Sequence, residues 1–369
     1  MSTPDQAPAT YAWEPTTDFI AARYGVPRHD VVRFDVNTSP VPPDLRHVLV
    51  GPFDPALSEY PPSDYATLVE AAAQAYGVAT DEILPTAGAD EALDLTARAF
   101  LREGSVAVVA TPTYAMYRIV SEQRGARVVA VPRLGPDDAF RLDIPALVSA
   151  ARSADLVWLC EPNNPTGAVE TPDRVAELLR LLAAYAASDG RVAPAVVVDE
   201  AYAEFVGRSV LPSRAEYPRL VVVRTLSKAH ALAGARVGFA IARAGTLAPI
   251  RSFRAPASVS TVSAALATAS LLRPELAAAN VEHLARQRSR LMEDLTGIGW
   301  RPYPSDVNFI LVQFSSPEAA GSAAEALLRR GLVPRTFGDG HPFAGCLRLT
   351  VRSAAENDRL IEVARGIPA

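Results

Sequence analysis

Short runs of apolar, mostly β-branched residues alternate with longer segments of helical period between about residues 64 and 240. Continuous apolar runs are typical of strands covered on both faces, whereas apolar residues at three- and four-residue steps indicate amphipathic helices. The alternation therefore predicts an α/β fold, a mostly parallel sheet with helices on both faces. Strands are expected at residues 106–110, 127–131, 156–160, 195–198, 220–224 and 237–241. Helices are expected at residues 65–76, 89–101, 172–187 and 258–271.

The pattern changes after Pro274. It predicts a long charged helix, an apolar segment, a second helix and a strand, at residues 275–295, 300–314, 317–330 and 346–351. That order is typical of a separate α+β domain. The first 50 residues are irregular and rich in proline, and we expect them to wrap over the large domain or a partner subunit. The predicted organisation is an N-terminal arm (1–50), a large domain (51–273) and a small C-terminal domain (274–369).

Composition narrows the class of protein. Of the 369 residues, 49% are hydrophobic, which is enough for a sizeable core. The 36 basic and 41 acidic residues form no run of one sign, so neither nucleic acid nor an anionic membrane is expected as a partner. Cys160 and Cys346 are too few for a disulfide scaffold, and no apolar stretch approaches the roughly 20 residues of a membrane span. We expect a soluble, cytoplasmic protein.

A lysine stands where a strand ends. Thr225-Leu226-Ser227-Lys228 follows an apolar run directly and precedes Gly234-Ala235-Arg236. Lysines are rarely buried, but one at the end of a central strand can have its pKa lowered and become a nucleophilic amine, as Schiff-base chemistry requires. A Ser-Lys pair in isolation more often lies in an exposed loop, so the interpretation of Lys228 as a nucleophile depends on the motifs around it.

An acidic residue ends a second buried run, Val196-Val197-Val198-Asp199. Open α/β sheets bind ligands beyond the carboxyl ends of their strands, so Asp199 is expected to face the same crevice as Lys228. A carboxylate there can pair with a pyridinium nitrogen and keep it protonated. A helix cap or a metal ligand is the alternative, but the five histidines are scattered, and no metal is expected.

Two further segments carry polar backbone or amide groups. Gly88-Ala89-Asp90-Glu91 opens a predicted helix, and N–H groups at a helix N-terminus can hold a phosphate with help from Ser227 and Arg236. The turn-rich loop 161–167 contains Asn164, whose amide can donate to a ring oxygen. Taken alone, the first segment is an ordinary helix start and the second an ordinary turn.

Together these motifs resemble the fold-type I pyridoxal 5'-phosphate (PLP)-dependent aminotransferases, and most of all the histidinol-phosphate aminotransferase family. The similarity runs from about Tyr11 to Arg365. The matching pieces are Tyr60-Pro61, Gly88 to Glu91, Pro112-Thr113-Tyr114, Asn163 to Gly167, Asp199 to Tyr202, Thr225 to Lys228, Arg236 and Leu347 to Thr350. The resemblance implies a mostly parallel seven-stranded sheet between helices, with a small α+β C-terminal domain.

The resemblance also implies roles for individual residues. Lys228 matches the Schiff-base lysine that shuttles the substrate proton, and Asp199 matches the partner of the pyridine nitrogen. Asn164 and Tyr202 match donors to the ring's phenolate oxygen, and Tyr114 matches the ring stacked on the cofactor. The phosphate cup is matched by Gly88, Ala89, Asp90, Ser227 and Arg236, with Tyr60 reaching in from the neighbouring subunit.

The resemblance to the family is less regular at the positions that would contact the substrate. Arg348 matches the arginine that holds a substrate carboxylate, while Tyr11 and Arg335 fall near family positions that bind a distal phosphate. An ordinary loop charge is the alternative for Arg335. The chain departs from the family pattern at residues 37–40, near the substrate entrance, and also at His230 and Arg352.

The resemblance implies a homodimeric PLP-dependent aminotransferase that moves an amino group between an amino acid or amino phosphate and a 2-oxo acid such as 2-oxoglutarate. The donor would be histidinol-phosphate-like or aromatic. A PLP-dependent decarboxylase or lyase of the same fold, like the threonine-phosphate decarboxylases, is the alternative. A regulatory, non-enzymatic relative is disfavoured because the N-terminal residues lack a helix-turn-helix pattern and the lysine is intact.

Overall fold

The computed structural model describes residues 10–11, 15–45, 48 and 57–368. The helices are α1 Thr17–Tyr24, α2 Ala66–Tyr76, α3 Ala89–Phe100, α4 Met116–Glu122, α5 Ile144–Ala151, α6 Pro172–Ser188, α7 Ala203–Val206, α8 Ala244–Arg251, α9 Thr261–Leu271, α10 Pro274–Gly297, α11 Pro317–Leu328 and α12 Ala354–Ala364. The strands are β1 Val32–Arg33, β2 Ile83–Thr86, β3 Val106–Thr111, β4 Arg127–Pro132, β5 Leu156–Cys160, β6 Ala195–Asp199, β7 Leu220–Thr225, β8 Gly238–Ala242, β9 Arg301–Pro302, β10 Phe309–Gln313, β11 Leu332–Val333 and β12 Cys346–Thr350.

The largest sheet has seven strands in the order β2-β8-β7-β6-β5-β3-β4. Strands β3 to β7 pair in parallel, and β8 runs antiparallel to both of its neighbours. Every residue of β5, β6 and β7 is buried, as their continuous apolar sequence predicts. The strand order reverses beside β3, because β4 lies on one side of it and β5 on the other. Such a switch point opens a crevice at the carboxyl ends of the strands.

Apolar side chains fill both faces of this sheet. One cluster joins the sheet to residues of α2, α5, α6 and α9, and another joins its opposite face to α3, α4 and α8. The fold class predicted from the sequence is therefore confirmed: an α/β sandwich around a mostly parallel sheet. The edge strand β2 and the short helices α4, α5 and α8 were not predicted. They are four to eight residues long, too short for a periodic pattern to stand out.

A second sheet of three antiparallel strands, in the order β12-β10-β9, lies in the C-terminal part of the chain. Its apolar cluster includes Trp300, Ile310 and Leu347, together with residues of α10, α11 and α12. The long charged helix expected at 275–295 is α10, which begins one residue earlier and ends two later. Helix α12 was not predicted.

The N-terminal segment differs from the irregular arm that the sequence suggested. It contains helix α1, and β1 pairs in parallel with β11. Phe34 is fully buried in the C-terminal cluster, and Tyr24 Oη donates a hydrogen bond to Glu325 at 2.8 Å. Residues 17–35 therefore pack on the C-terminal part of the chain, where β1 pairs with β11 outside the three-stranded sheet and satisfies its backbone groups. Among the described residues, no helix combines the length and apolar character of a membrane span.

Candidate active site

A cavity of about 420 Å³ opens where β3, β5, β6 and β7 end. Its volume lies in the range of small-molecule and cofactor sites, about 300–1,000 Å³. Most of the predicted site residues line it. They are Tyr11, Ala89, Asp90, Tyr114, Asn164, Asp199, Tyr202, Ser227, Lys228, Arg236, Arg335 and Arg348.

Lys228 lies just beyond β7, with its amine inside the cavity. Its Nζ donates to the carbonyl of Val36 at 3.4 Å and lies 5.7 Å from the centre of the Tyr202 ring. Burial, and to a smaller extent the charge of Arg348, lowers the pKa of Lys228 to about 8. The lysine therefore has a neutral, nucleophilic fraction near neutral pH.

Asp199 is the last residue of β6 and is buried. Its carboxylate accepts a hydrogen bond from Tyr117 Oη at 2.8 Å and another from the backbone N–H of Ala201 at 3.0 Å. Burial raises the pKa of Asp199 to about 6, although both hydrogen bonds act in the opposite direction. An ionised carboxylate in this position is costly unless it gains a cationic or N–H partner from the cavity.

The start of α3 forms a cradle for an anion. Gly88 precedes the helix with φ +84°, and a Cβ there would stand 2.5 Å from Nη2 of Arg236. The glycine therefore lets the guanidinium reach the N-terminus of α3, where it also pairs with Asp90 at 3.3 Å. Ser227 also lines the cavity, and its Oγ accepts a hydrogen bond from Thr225 Oγ1 at 2.9 Å. N–H groups, a helix dipole and a guanidinium together suit a phosphate.

Arg348, on β12, is buried and held from two sides. Its Nη1 donates to Asn164 Oδ1 at 2.5 Å, and its Nη2 donates to the carbonyl of Asp35. Its Nε has no hydrogen-bond partner in the described part of the chain. Arg348 also lines the cavity, so the remaining N–H donors of its guanidinium can receive a carboxylate there.

The aromatic residues of the site are fixed by neighbours. Tyr202 Oη accepts a hydrogen bond from Asn37 Nδ2 at 3.0 Å, and its ring packs edge-on against Phe309 at 5.2 Å. Tyr114 Oη donates to Asp90 at 3.1 Å. Burial raises the pKa of both tyrosines above the ordinary value, so both keep their hydroxyl proton at neutral pH.

The far end of the cavity is formed by the segment after β11. Arg335 forms a pair of backbone hydrogen bonds with Arg348, each of 3.0 Å, and lines the cavity together with Tyr11. The ring of His341 stacks on Phe337 at 4.8 Å, and its Nδ1 accepts from the backbone N–H of Phe343 at 3.0 Å. With Nδ1 as the acceptor, a neutral His341 carries its proton on Nε2.

Two of the predicted residues do not line the cavity. Gly88 acts through its contact with Arg236. Tyr60 is 90% exposed and reaches no part of the cavity within one chain.

Sequence reasoning missed Tyr117, Asp35, Phe337 and His341. Tyr117 lies on the short helix α4, and nothing in its spacing signals a bond to Asp199. Asp35 contributes its backbone carbonyl, which no sequence pattern reports. One signal in the composition was also available: Lys228 is the only lysine of the chain, and apart from the five histidines every other basic side chain is an arginine.

A family model described as aminotransferase class I and II matches residues 52–363. The chain belongs to the class I and II aminotransferases. The predicted activity, transfer of an amino group between small-molecule amino and oxo compounds, is confirmed by this match and by the relatives below.

This aminotransferase is 38% identical over 322 residues, 85% of either chain, to the histidinol-phosphate aminotransferase of Xylella fastidiosa (strain 9a5c). The solved structure of histidinol-phosphate aminotransferase from Sinorhizobium meliloti in complex with pyridoxal-5'-phosphate matches with a TM-score of 0.84 and 25% identity, covering 96% of both chains. L-threonine-O-3-phosphate decarboxylase from Porphyromonas gingivalis matches with a TM-score of 0.75 at 22% identity, covering 91% of this chain and 99% of that one. The last likeness shows the fold alone, so the decarboxylase alternative has the weaker support.

The predicted cofactor is also confirmed: this aminotransferase is PLP-dependent. The residues of the cavity fit that cofactor. The anion cradle at α3 suits its phosphate, the amine of Lys228 suits its aldehyde, and the buried Asp199 suits its ring nitrogen. A side chain at Gly88 would displace the guanidinium of Arg236, so the glycine lets this positive charge lie beside the start of α3.

Proposed function

We propose that this aminotransferase takes the amino group of L-histidinol phosphate and passes it to 2-oxoglutarate. The observation that carries the proposal is the backbone pairing of Arg335 with Arg348, which sets two arginines side by side along the cavity that holds Lys228. Histidinol phosphate carries its phosphate on the carbon next to the one that bears the reacting amine, and 2-oxoglutarate carries one carboxylate at each end. Arg348 would hold the carboxylate beside the oxo group, and Arg335 with Tyr11 would form a distal subsite for the phosphate of the donor and the second carboxylate of the acceptor.

The chemistry is divided among few groups. When bound, PLP supplies an electron sink that stabilises negative charge at the substrate α-carbon. Lys228 would take the proton from that carbon and return it, because its lowered pKa of about 8 provides a neutral amine. Asp199 would accept a hydrogen bond from the ring nitrogen, while Asn164 and Tyr202 would donate to the ring oxygen and Tyr114 would stack on the ring. The phosphate would be held by Ala89, Asp90, Ser227 and Arg236.

The composition of the chain permits a direct test of the lysine. Borohydride reduction of the holoenzyme should attach one cofactor per chain, and peptide mapping should place it on Lys228, the only lysine present. Attachment at the N-terminal amine alone would contradict the assignment. Lys228→Ala should remove the label and lower turnover by roughly 10³-fold or more.

The amino donor is tested by the absorbance of the bound cofactor. L-histidinol phosphate should convert the spectrum to the amine form and 2-oxoglutarate should restore it. Aromatic amino acids should do so with a kcat/KM at least ten times lower. If only an aromatic amino acid converts the spectrum, the aromatic amino acid is the donor and the proposal of L-histidinol phosphate is wrong. Release of carbon dioxide without an oxo-acid requirement would favour the decarboxylase.

The distal subsite is tested by Arg335→Gln. We expect it to raise the KM for L-histidinol phosphate at least tenfold, since a charge-assisted bond to phosphate contributes about 1.5–3 kcal/mol. The KM for L-histidinol, which lacks the phosphate, should not change. Arg329→Gln is the matched control, because Arg329 pairs with Glu325 on the outer face of α11. Equal effects on both substrates would contradict the subsite.

We further propose that the enzyme is a cytoplasmic homodimer in which Tyr60 completes the neighbouring active site. Support comes from the large exposed side chains of Leu57 and Tyr60, 76% and 90% accessible, and from the contact of this segment with the start of α9, where Thr261 Oγ1 bonds to Glu59 at 3.5 Å. Cys160 and Cys346 are unpaired, which suits a reducing compartment. Cell fractionation should recover the enzyme with cytoplasmic markers.

We also propose a boundary between the large and small domains near residue 273. The apolar clusters change there, from those of the seven-stranded sheet to that of the three-stranded sheet. Residues 17–35 belong with the small domain on this division, because β1 and Phe34 pack in its cluster. Limited proteolysis of the enzyme should therefore retain the 17–35 segment with the C-terminal fragment.

A further inference from the structure

A second cavity, of about 770 Å³, lies apart from the active site and shares no lining residue with it. It lies between the end of α2, the turn at residues 209–214 and the first turns of α10. Its inner wall includes Arg224 of β7 and His230, which belongs to the loop that carries Lys228. A ligand in this cavity would therefore contact the segment that presents the catalytic lysine.

Most of the wall is apolar. Aliphatic and proline side chains from three parts of the chain surround the space, among them Leu211, Pro212, Leu271, Pro274 and Val281. Pockets that bind small molecules combine such walls with a few converging polar groups. The body of a suitable ligand is therefore hydrophobic.

The polar end carries unbalanced negative charge. The buried guanidinium of Arg224 pairs with both Glu200 at 2.8 Å and Glu204 at 2.9 Å, so two carboxylates share one positive charge. The other two charged residues of the wall, Arg214 and Glu282, add little to this net negative charge. Arg214 is neutralised by Glu82 at 3.0 Å, and Glu282 by Arg286.

Three buried polar atoms at this end have no hydrogen-bond partner among the described residues: Glu204 Oε2, Tyr76 Oη and Arg224 Nε. Buried polar atoms are rarely left unpaired, and each one costs about 1–3 kcal/mol. His230 turns Nδ1 away, to Ser270 Oγ at 2.8 Å. The carboxylate and phenol oxygens can accept hydrogen bonds from a cation, and the net charge of the cluster favours one.

We propose that this cavity is a second binding site of the enzyme, for a small hydrophobic amine in its ammonium form. The ammonium group donates to Glu204 Oε2 and to Tyr76 Oη, and the apolar body lies against Leu211 and the first turns of α10. The site is separate from the substrate cavity, so the proposal does not depend on which amino donor the enzyme uses.

Calorimetry of the PLP-loaded enzyme with N,N-dimethylphenethylamine tests the site. This tertiary amine is cationic at pH 7.5 and cannot condense with the cofactor's aldehyde. Its single N–H can donate to Glu204 Oε2, so the probe tests that bond and not the bond to Tyr76 Oη. We expect one site per chain with a Kd of about 1 mM or tighter, reasonable for a ligand of this size. The neutral analogue 2-phenylethanol should bind at least tenfold more weakly.

Two variants locate the binding. Glu204→Gln removes the charge at nearly constant size, and Ala278→Trp fills the cavity from an exposed position on α10. Both should weaken binding at least tenfold, and Ala279→Trp, on the neighbouring exposed position outside the cavity, should not. If Glu204→Gln does not fold, Ala278→Trp alone still tests whether the amine binds in this cavity.

Three results would overturn the proposal. They are no binding heat beyond dilution, affinity unchanged in both variants, or loss of binding when 2-oxoglutarate or L-histidinol phosphate saturates the active site. The first would mean that the polar atoms are only hydrated, and the last would place the amine among the substrate contacts. None of these results would alter the assignment of the amino donor, which is measured at Lys228.

Discussion

At the residue scale, the chemistry depends on two ionisable groups that burial shifts in opposite directions. The pKa of Lys228 is lowered to about 8 and that of Asp199 is raised to about 6, in each case mainly because burial penalises the charged form. In the protein without cofactor these charges destabilise the fold. The cofactor relieves the cost by providing partners for both.

Lys228→Met is expected to stabilise the cofactor-free protein at pH 7. The folded lysine binds its proton more weakly than the unfolded one, so its cost is complete below about pH 8 and is relieved as the pH rises from about 8 to 10.5. At 1.36 kcal/mol per pKa unit, the gain at pH 7 is about 1–3 kcal/mol. Denaturant unfolding at pH 7 and pH 10 measures it. A gain independent of pH would contradict this explanation.

Tyr117→Phe should move the acidic limit of cofactor binding. Its hydroxyl donates to Asp199 at 2.8 Å and lowers the pKa of that carboxyl, so its loss raises the pKa further. The affinity for PLP, measured by fluorescence titration, should fall at a pH higher by about half a unit to one unit. Tyr114→Phe is the control, since its hydroxyl bonds to Asp90. An unmoved pH profile in Tyr117→Phe would contradict the role of Asp199.

At the scale of elements, the site depends on how closely α3 approaches the sheet. A Cβ at Gly238, the first residue of β8, would stand 2.6 Å from the backbone of Gly88 and 2.8 Å from the carbonyl of Arg224. The two glycines therefore let the start of α3 rest directly on the strands. This contact aims the N–H groups of the helix into the cavity, which is what an anion site at a helix N-terminus requires.

Gly88→Ala should weaken PLP binding at least tenfold and leave the fold in place. The added Cβ meets the guanidinium of Arg236 at 2.5 Å and displaces it from the cradle. Gly190→Ala is the matched control, because Gly190 has a similar positive φ, +64°, and nothing within 4 Å of its Cβ position. Gly190→Ala should lose about 1 kcal/mol of stability from its positive φ, and Gly88→Ala about 1–3 kcal/mol, because φ +84° with ψ 177° is a conformation that only glycine adopts readily. Equal PLP affinity in the two variants would show that strain, and not the cradle, matters.

At the scale of the whole molecule, the cavity brings together three distant parts of the chain. Asn37 of the N-terminal segment bonds to Tyr202 beyond β6, and Arg348 of the C-terminal sheet bonds to Asn164 beyond β5. The site therefore forms only when the two sheets are docked. A fourth part, Tyr60, lies 90% exposed on the outside of the same chain.

The homodimer proposal predicts that Tyr60→Phe weakens PLP binding about tenfold, the effect of one hydrogen bond to a phosphate. Sedimentation should give twice the mass of one chain, and diluting the enzyme below its dimer Kd should weaken the binding in the same way. Tyr185→Phe is the control, since Tyr185 is also on the surface but packs under Arg152. A fully active monomer would contradict the proposal.

The sequence by itself determined the alternation of strands and helices. Buried parallel strands have nearly continuous apolar sequences, as in Leu156–Cys160 and Ala195–Asp199, and such runs can be recognised without the structure. It also indicated Lys228 and Asp199, since chemistry at strand ends follows from the order of elements. The tertiary structure decided what depends on contacts between distant residues: the bond of Tyr117 to Asp199, the docking of β1 on β11 and the paired backbones of Arg335 and Arg348. Local patterns carry no record of such contacts, because their partners are set by packing across the whole molecule and not by neighbours along the chain.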